Sequence, residues 1–250
     1  MAGGLPVKNL TAPGSHHHRP SVTADVGHAP HWRQVDIGAR AITRTKLEAP
    51  RKRAVIDTER RDFPVVCVGG SAGGLDAYIR LLRQLPPDLG AAIVIVNHLR
   101  TVETRLHELL PRVTAMPVAL ISERLIIRPN HVFIIPARRD LHVRDGEFRL
   151  EPISKPHGWP DVITIFLCSL ARHWQGKVVA IIVSGFDGDG AAALKSIKDI
   201  GGITIAQAPE TAAYADMPES AISSGSVDFI LSPEDIALKL IELRDKEAAA

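Results

Sequence analysis

The stretch VVCVGGSAGG, from Val65 to Gly74, indicates the fold class, because an apolar strand here leads straight into a glycine-rich loop. The next segment, GLDAYIRLLRQL, has apolar residues at helical spacing and ends before Pro86. A buried strand, a short loop and a helix are typical of the first unit of a parallel α/β sheet. The loop holds one serine, Ser71, so it is suited either to cradling a phosphate or to presenting a nucleophile.

The chain from Phe63 onward repeats this alternation of apolar and amphipathic segments. Further strands are predicted in AAIVIVNH, PVALIS, HVFIIPA, KVVAIIVSG, ITIAQA and VDFIL, and helices in DVITIFLCSLARHW, GAAALKSIKDIGG, PESAIS and SPEDIALKLIELRDKE. Asp145-Gly146 predicts a hairpin turn, which we assign to an antiparallel insertion over residues 131–150. The predicted class is α/β: a doubly wound, mostly parallel sheet flanked by helices, with an antiparallel hairpin insertion.

Residues 1–62 differ from the rest in composition and charge. They contain eleven basic and six acidic residues, a formal charge of +5, whereas the whole chain carries +2. Apolar periodicity is weak there, so we predict a basic, disordered N-terminal arm over 1–62 and a folded domain over 63–250. The arm is either a solvated tail or an electrostatic contact for an acidic partner or a membrane surface. Its SHHH run fits a metal site or a tag remnant.

Composition argues against several functional classes. Aromatic residues make up only 4% of the chain, so base-stacking surfaces and a nucleic-acid partner are not expected. Neither a membrane-length apolar run nor a secretory apolar core is visible, so we expect no membrane insertion and a cytoplasmic location. Cys67 and Cys168 both fall in apolar segments and are predicted to be reduced core residues.

Polar residues follow three predicted strands at the point where each strand ends. Ser71 follows the first strand, His98 the second, and Asp187 and Asp189 follow KVVAIIVSG. Each feature alone is typical of a helix cap, a structural histidine or a turn. Because parallel strands present their carboxyl ends at one edge, we expect the three sites to converge there. Serine, histidine and aspartate are the residue types of serine hydrolysis.

The glycines of the loop suit the same chemistry. Gly69 and Gly70 are expected to let the chain turn sharply, and Gly73 and Gly74 to open the helix so that free N–H groups face a developing oxyanion. Nucleotide binding is the competing interpretation. It is disfavoured because Ser71 occupies the middle-glycine position of G-x-G-x-x-G and the second strand does not end in an acidic residue. The loop also lacks the G-x-S-x-G spacing of lipases and esterases.

Several motifs resemble those of the CheB family, the bacterial chemotaxis protein-glutamate methylesterases. They are GGSAGG, NH, SGFDGDGA, TIAQ and MPESAI, and the resemblance covers about residues 63–242. It implies a serine hydrolase with Ser71 as nucleophile, His98 as base and Asp189 as its carboxylate. It places the oxyanion hole at the backbone N–H groups of Ala72 and Phe186. It implies no metal and no organic cofactor.

From this resemblance we expect Ser71 Oγ to lie within hydrogen-bond reach of one nitrogen of His98, and the other nitrogen to face Asp189. Asp187 falls where the family has glycine, and we predict an exposed turn residue there. The implied activity is hydrolysis of glutamyl methyl esters, with possible deamidation of glutamine by the same chemistry. The implied partner is a methylated, chemoreceptor-like helical protein, with a response regulator or a methyltransferase acting in trans.

The chain departs from the family pattern before the DVITIF helix. Trp159, Asp161 and Ile163 stand where the family has arginine, serine and aspartate, and Asn97 replaces the glutamine before the histidine. Residues 1–62 are too short and too polar for a phospho-receiver domain, so regulation in cis by phosphorylation is not expected. An alternative interpretation is therefore a catalytically altered methylesterase fold that binds a helical partner in a signalling pathway without turnover.

Overall fold

The protein is represented by a computed structural model that describes residues 62–98, 105–155, 157–158 and 160–249. All but the last residue of the predicted N-terminal arm lies outside the described residues, and so does Trp159. The predictions of a disordered arm and of a role for Trp159 therefore stay predictions.

Nine strands are present in the described residues. They are β1 (Val65–Gly70), β2 (Ala92–Asn97), β3 (Val118–Leu120), β4 (His131–Ile134), β5 (Arg139–Arg144), β6 (Glu147–Pro152), β7 (Val178–Ile182), β8 (Ile203–Gln207) and β9 (Phe229–Leu231). The α-helices are α1 (Gly74–Gln84), α2 (Leu106–Leu109), α3 (Val162–His173), α4 (Leu194–Asp199), α5 (Asp216–Ser223) and α6 (Pro233–Ala248). Short 3₁₀ turns occupy Leu110–Arg112, Ala191–Ala193 and Pro209–Thr211. Every predicted strand and helix is confirmed, and only the short α2 was not predicted.

Seven strands form one parallel sheet in the order β3-β4-β2-β1-β7-β8-β9. β1 lies at its centre, with Val65 paired to Ala92 of β2 on one side and to Val178 of β7 on the other. The chain leaves β1 towards β2 and leaves β7 towards β8, in opposite directions across the sheet. The point where the strand order reverses therefore lies between β1 and β7, where doubly wound folds open a crevice.

Helices cover both faces of the sheet, as the continuous apolar strands predict. Val66 and Val68 of β1 pack with α1 and α6 on one face. Val65 and Cys67, which alternate with them, pack with α3, α4, α5 and the β5–β6 ribbon on the other. The predicted doubly wound α/β fold is confirmed.

The antiparallel insertion is shorter than predicted. β4 pairs in parallel with both β2 and β3, so 131–134 belongs to the main sheet. Its residues Val132, Phe133 and Ile134 are buried, as expected of a strand covered on both faces. Only β5 and β6 form the antiparallel ribbon, joined at Asp145 and Gly146, whose φ values of 54° and 74° fit a two-residue hairpin turn.

The described part of the chain contains no helix that is long and apolar enough to cross a membrane. The longest helix, α6, is amphipathic. Ser232 caps it by accepting a hydrogen bond from Asp235 N at 3.2 Å.

Candidate active site

Ser71 lies at the switch point of the sheet, directly after β1. Its backbone N–H donates to the carbonyl of Ser184, just beyond β7, at 2.9 Å. A side chain at Gly185 would place its Cβ 2.9 Å from Ser71 Cβ and 2.1 Å from Met217 Sδ. Only glycine therefore fits at position 185, and the loops after β1 and β7 lie against each other at the switch point.

The glycines of the β1–α1 loop act differently from the prediction. Gly69 and Gly70 are the last residues of β1 and do not form the turn. They are glycines because Ile163 and the Tyr78 hydroxyl occupy the space where their side chains would lie, each 2.6 Å from the position that a Cβ atom would take. The turn falls at Gly73, the N-cap of α1, which has a φ of 74°.

Backbone N–H groups beside Ser71 are open, and they include those of two residues that the family resemblance assigns to the oxyanion hole. Among the described residues, those of Ala72 and Phe186 have no hydrogen-bond acceptor, whereas Gly74 N donates to Ser71 O at 3.1 Å. The Ser184 hydroxyl fixes their surroundings by donating to Ala72 O at 2.9 Å and accepting from Tyr214 N at 3.0 Å. Open N–H donors on both sides of a serine can stabilise an oxyanion.

Two exposed aromatic rings adjoin these donors. Phe186 and Tyr214 are 39% and 43% exposed, and their ring centroids lie 4.3 Å apart. The backbone below them is held in place because Gly185 N donates to Tyr214 O at 3.1 Å. Aromatic side chains exposed at this level are typical of surfaces that contact a partner.

His98 follows β2, one residue beyond the pairing of Asn97 with Gly70. Its side chain is only 2% exposed and lies between two carboxylates. Nε2 donates to Asp189 Oδ2 at 2.7 Å, and Nδ1 lies 3.3 Å from Asp187 Oδ2. The second contact lies within ion-pair distance, but its geometry falls short of a hydrogen bond. The predicted hydrogen bond between His98 and Ser71 Oγ is not formed, since both ring nitrogens face carboxylates.

Asp189 is held by the first turn of α3 as well as by His98. Its Oδ2 accepts from Ile163 N at 2.8 Å and its Oδ1 from Thr164 N at 2.9 Å. The Thr164 hydroxyl accepts from Gly190 N at 2.8 Å, which ties the loop to the same helix. Sequence reasoning missed these donors, although a helix starting at DVIT implies free N–H groups there.

The prediction that Asp187 is an exposed turn residue is wrong. Its side chain is only 14% exposed and one of its oxygens faces His98. It does make a hydrogen bond typical of a turn, accepting from Asp189 N at Oδ1 over 2.8 Å. The backbone φ of Asp187 is 74°, in the left-handed region.

These contacts set the protonation states of His98 and Asp189. Burial alone lowers the pKa of His98, but the carboxylates of Asp187 and Asp189 outweigh it and raise the pKa to about 9. Burial alone raises the pKa of Asp189, but the donors on His98, Thr164 and Ile163 outweigh it and hold the pKa below its usual value. The structure thus pairs an imidazolium with an ionised carboxylate at neutral pH.

The structure shows the surroundings of Ile163 and Asp161, two of the residues that depart from the family pattern. Ile163 is fully buried, and its methyl groups pack against Gly69 and Gly190, so its side chain cannot reach a substrate. Asp161 forms an ion pair with Lys155 at the start of α3. The described residues include no group of three or more metal-binding side chains arranged around a common point.

A cavity of about 360 Å³ lies at the opposite edge of the sheet, away from Ser71. It opens at the amino ends of β1 and β7, and its lining includes Pro64, Ala91, Lys177, Leu240 and Arg244. The cavity contains none of the predicted site residues.

The fold and this crevice define a class: doubly wound α/β proteins that carry the residue set of a serine hydrolase at their switch point. The sequence profile of the CheB methylesterase family matches residues 66–240, and the chain belongs to that family. This result confirms the resemblance seen in the sequence.

Two individual relatives and one solved structure agree with this family assignment. The chain is 32% identical over 211 residues to "Protein-glutamate methylesterase/protein-glutamine glutaminase 2" of Burkholderia pseudomallei, covering 83% of this chain and 61% of that protein. A relative in Leptospira interrogans, whose name refers to the same two activities, is 30% identical, with 73% of this chain and 95% of the relative covered. The crystal structure of the Thermotoga maritima CheB methylesterase catalytic domain superposes with a TM-score of 0.65 at 28% identity, covering 72% of this chain and 97% of that one.

Proposed function

We propose that this protein is a serine hydrolase of the protein-glutamate methylesterase type. The observation that carries the proposal is the crevice between β1 and β7, where Ser71 lies next to the open N–H groups of Ala72 and Phe186. A His98–Asp189 pair stands at the end of the neighbouring strand β2. The chain spans 61% of the length of the Burkholderia pseudomallei relative, so the activity is inferred for this domain from its own residues.

In the proposed reaction, Ser71 Oγ attacks the carbonyl carbon of a glutamyl methyl ester. His98, in its neutral form, takes the hydroxyl proton, and the N–H groups of Ala72 and Phe186 stabilise the oxyanion. His98 then returns the proton to the departing methoxide, so methanol leaves and an acyl-enzyme remains. Water attacks the acyl-enzyme with His98 again acting as base, which releases glutamate and restores Ser71.

The same acyl-enzyme forms from glutamine, with ammonia leaving in place of methanol. Both activities appear in the name of the Burkholderia pseudomallei relative. We propose a methylated, chemoreceptor-like helical protein as substrate and the exposed Phe186–Tyr214 pair as part of its docking surface, because this pair adjoins the open donors. A response regulator or methyltransferase is proposed as a partner in trans.

Methanol release from a methylated chemoreceptor cytoplasmic fragment tests the proposal. The wild-type protein should release methanol, and Ser71→Ala should lose on the order of 10⁴-fold or more of the turnover rate. Ser122→Ala is the matched control, because Ser122 is exposed and follows the edge strand β3. A fluorophosphonate should label Ser71 in the wild-type protein, as detected by mass spectrometry of the Ser71 peptide.

The alternative of a binding module without turnover has one observation in its favour, namely that both nitrogens of His98 are held by carboxylates. Tight binding of the methylated fragment without methanol release between pH 6 and 10 and without labelling of Ser71 would support the module and contradict the hydrolase.

A further inference from the structure

Asp187 adopts a backbone conformation that residues with a side chain take less readily than glycine does. Its φ of 74° lies in the left-handed region, which costs a residue with a side chain about 1 kcal/mol relative to glycine. The loop after β7 needs a left-handed residue at this point, and glycine satisfies that need without a side chain. An aspartate here therefore calls for an explanation in terms of its carboxylate.

The two oxygens of the Asp187 carboxylate have different neighbours. Oδ1 accepts from Asp189 N at 2.8 Å. Oδ2 is buried and, within the described residues, bonds to no hydrogen-bond donor, but it lies 3.3 Å from His98 Nδ1. The imidazole is the cationic neighbour that compensates for burying this oxygen.

The proton positions on His98 follow from its two neighbours. Asp189 is ionised because Ile163 N and Thr164 N both donate to it, so the Nε2 that faces Asp189 carries a proton. Nδ1 faces a second carboxylate oxygen and is stabilised there only as N–H. A ring protonated at both nitrogens has no lone pair with which to accept the proton of Ser71.

We propose that Asp187 is a positioning residue whose carboxylate holds His98 by Nδ1, the nitrogen that must instead face Ser71 Oγ for His98 to act as base. Asp189 occupies Nε2, so Asp187 and Ser71 compete for the remaining nitrogen. Turnover therefore requires the ring to lose the Nδ1 proton and to leave Asp187. The effect on turnover rests on the proposed hydrolase function, whereas the effect on the ring does not.

The charged surroundings of His98 agree with this role. Asp187 and Asp189 are the described groups whose charges act on the ring, and together they raise the pKa of His98 to about 9. From β1, the Cys67 thiol is fully buried, and burial first and Asp189 second raise its pKa, so it stays neutral. The first turn of α3 contributes backbone N–H groups at Ile163 and Thr164. Removing the Asp187 carboxylate thus removes one of the two negative charges that act on the His98 ring.

The consequence is a shift in the pH dependence of turnover. With a pKa of about 9, roughly one ring in a hundred is neutral at pH 7, so the rising limb of kcat/KM lies at alkaline pH. Without the Asp187 carboxylate that limb should move to lower pH, and kcat/KM at pH 7 should rise about tenfold. A purely structural role for Asp187 predicts the opposite, a loss of activity at every pH.

The experiment compares the wild-type chain with Asp187→Asn and Asp187→Gly. Asparagine keeps the size and the acceptor for Asp189 N but removes the charge, and glycine suits the left-handed backbone, so folding is favoured in the second variant. Asp145→Asn is the matched control, because Asp145 is an exposed aspartate with a φ of 54° in the β5–β6 turn. ¹³C-labelled histidine allows the His98 imidazole to be titrated by NMR, with His98→Gln for assignment.

Both Asp187 variants should titrate His98 at lower pH than the wild type, and the rising limb of methanol release should move with it, while Asp145→Asn changes neither. An unchanged His98 titration in both variants would overturn the proposal. A lowered His98 titration with no turnover from any variant at any pH would support the restraint on the ring and contradict the hydrolase. The NMR readout thus separates failure of the inference from failure of the proposed function.

Discussion

The amino ends and the carboxyl ends of the central strands, here called the amino edge and the carboxyl edge, lie on opposite sides of the sheet and offer opposite features. The amino edge of β1 and β7 has the shape of a binding site, a cavity of about 360 Å³ bordered by Lys177 and Arg244, but its lining contains none of the predicted site residues. The carboxyl edge has open N–H donors and a buried His98–Asp189 pair beside Ser71. The proposed function belongs at the second edge, because hydrolysis of a residue on a large helical partner needs an accessible rim and not an enclosed pocket.

The comparison also explains the positions of the polar groups. Parallel strands leave their carboxyl ends facing helix N-termini, so the loops after β1 and β7 lie beside unpaired N–H groups of α1 and α3. Asp189 accepts hydrogen bonds from the free N–H groups at the start of α3. Ser71 lies in the turn that leads into α1. The amino edge faces helix C-termini, where such donors are not available.

Asp189→Asn should give the largest effect at the carboxyl edge. An asparagine can hold His98 in the wrong tautomer and cannot stabilise the imidazolium, an effect worth on the order of 10⁴ in turnover in the serine-protease triad. Methanol release over a range of pH measures it. Asp187→Asn should behave oppositely at pH 7, with turnover raised. Equal losses in the two folded variants would contradict the division of roles between the two aspartates.

Ile163→Asp should have the next largest effect, this time on stability. Restoring the family's acidic residue would bury a carboxylate in the space that the Ile163 methyl groups fill, next to the ionised Asp189. The free energy of unfolding should fall by about 3 kcal/mol or more. Urea denaturation measures it, with Ile163→Val as control, for which we expect a cost of about 1 kcal/mol. A fully stable Ile163→Asp protein would mean that this side chain is not packed beneath the crevice.

Much of the architecture and the site could be predicted from the sequence. The apolar runs identified the strands of the parallel sheet, because burial on both faces leaves a continuous apolar pattern, and the Asp145-Gly146 turn identified the ribbon. The strand ends singled out Ser71, His98 and two candidate aspartates, Asp187 and Asp189, and the choice of Asp189 came from the family resemblance. The errors at Asp187 and His98 concern single torsions. A positive φ at Asp187 and the rotation of the His98 ring are not encoded in residue type, and they decide which nitrogen meets which carboxylate. Gly69 and Gly70 were misread as turn residues because close approach of a neighbouring side chain leaves the same glycine signal as a turn.

The pH dependence of stability sharpens the description of the carboxyl edge. The pKa of His98 is raised from an ordinary 6.5 to about 9 in the folded state. Its stabilising contribution is therefore complete below about pH 6.5 and lost as the pH rises through about 9. We expect the free energy of unfolding, measured in urea between pH 6 and 10, to decline across this window. The decline should be smaller in Asp187→Asn. In His98→Gln, the part of the decline that comes from residue 98 should be absent. Identical pH slopes in all three proteins would show that His98 is not held as an imidazolium.

Lys177→Ala should have the smallest effect and tests the amino edge. Lys177 borders the cavity there and pairs with Glu247 of α6 at 2.7 Å, but its side chain is 65% exposed. Exposed pairs contribute little because water screens the attraction and the side chains lose conformational freedom, so unfolding should change by less than about 1 kcal/mol. Methanol release should stay within about twofold of wild type, since the cavity and Ser71 lie at opposite edges of the sheet. A large loss of turnover in a folded Lys177→Ala protein would assign a functional role to the amino edge and would break the contrast between the two edges of the sheet.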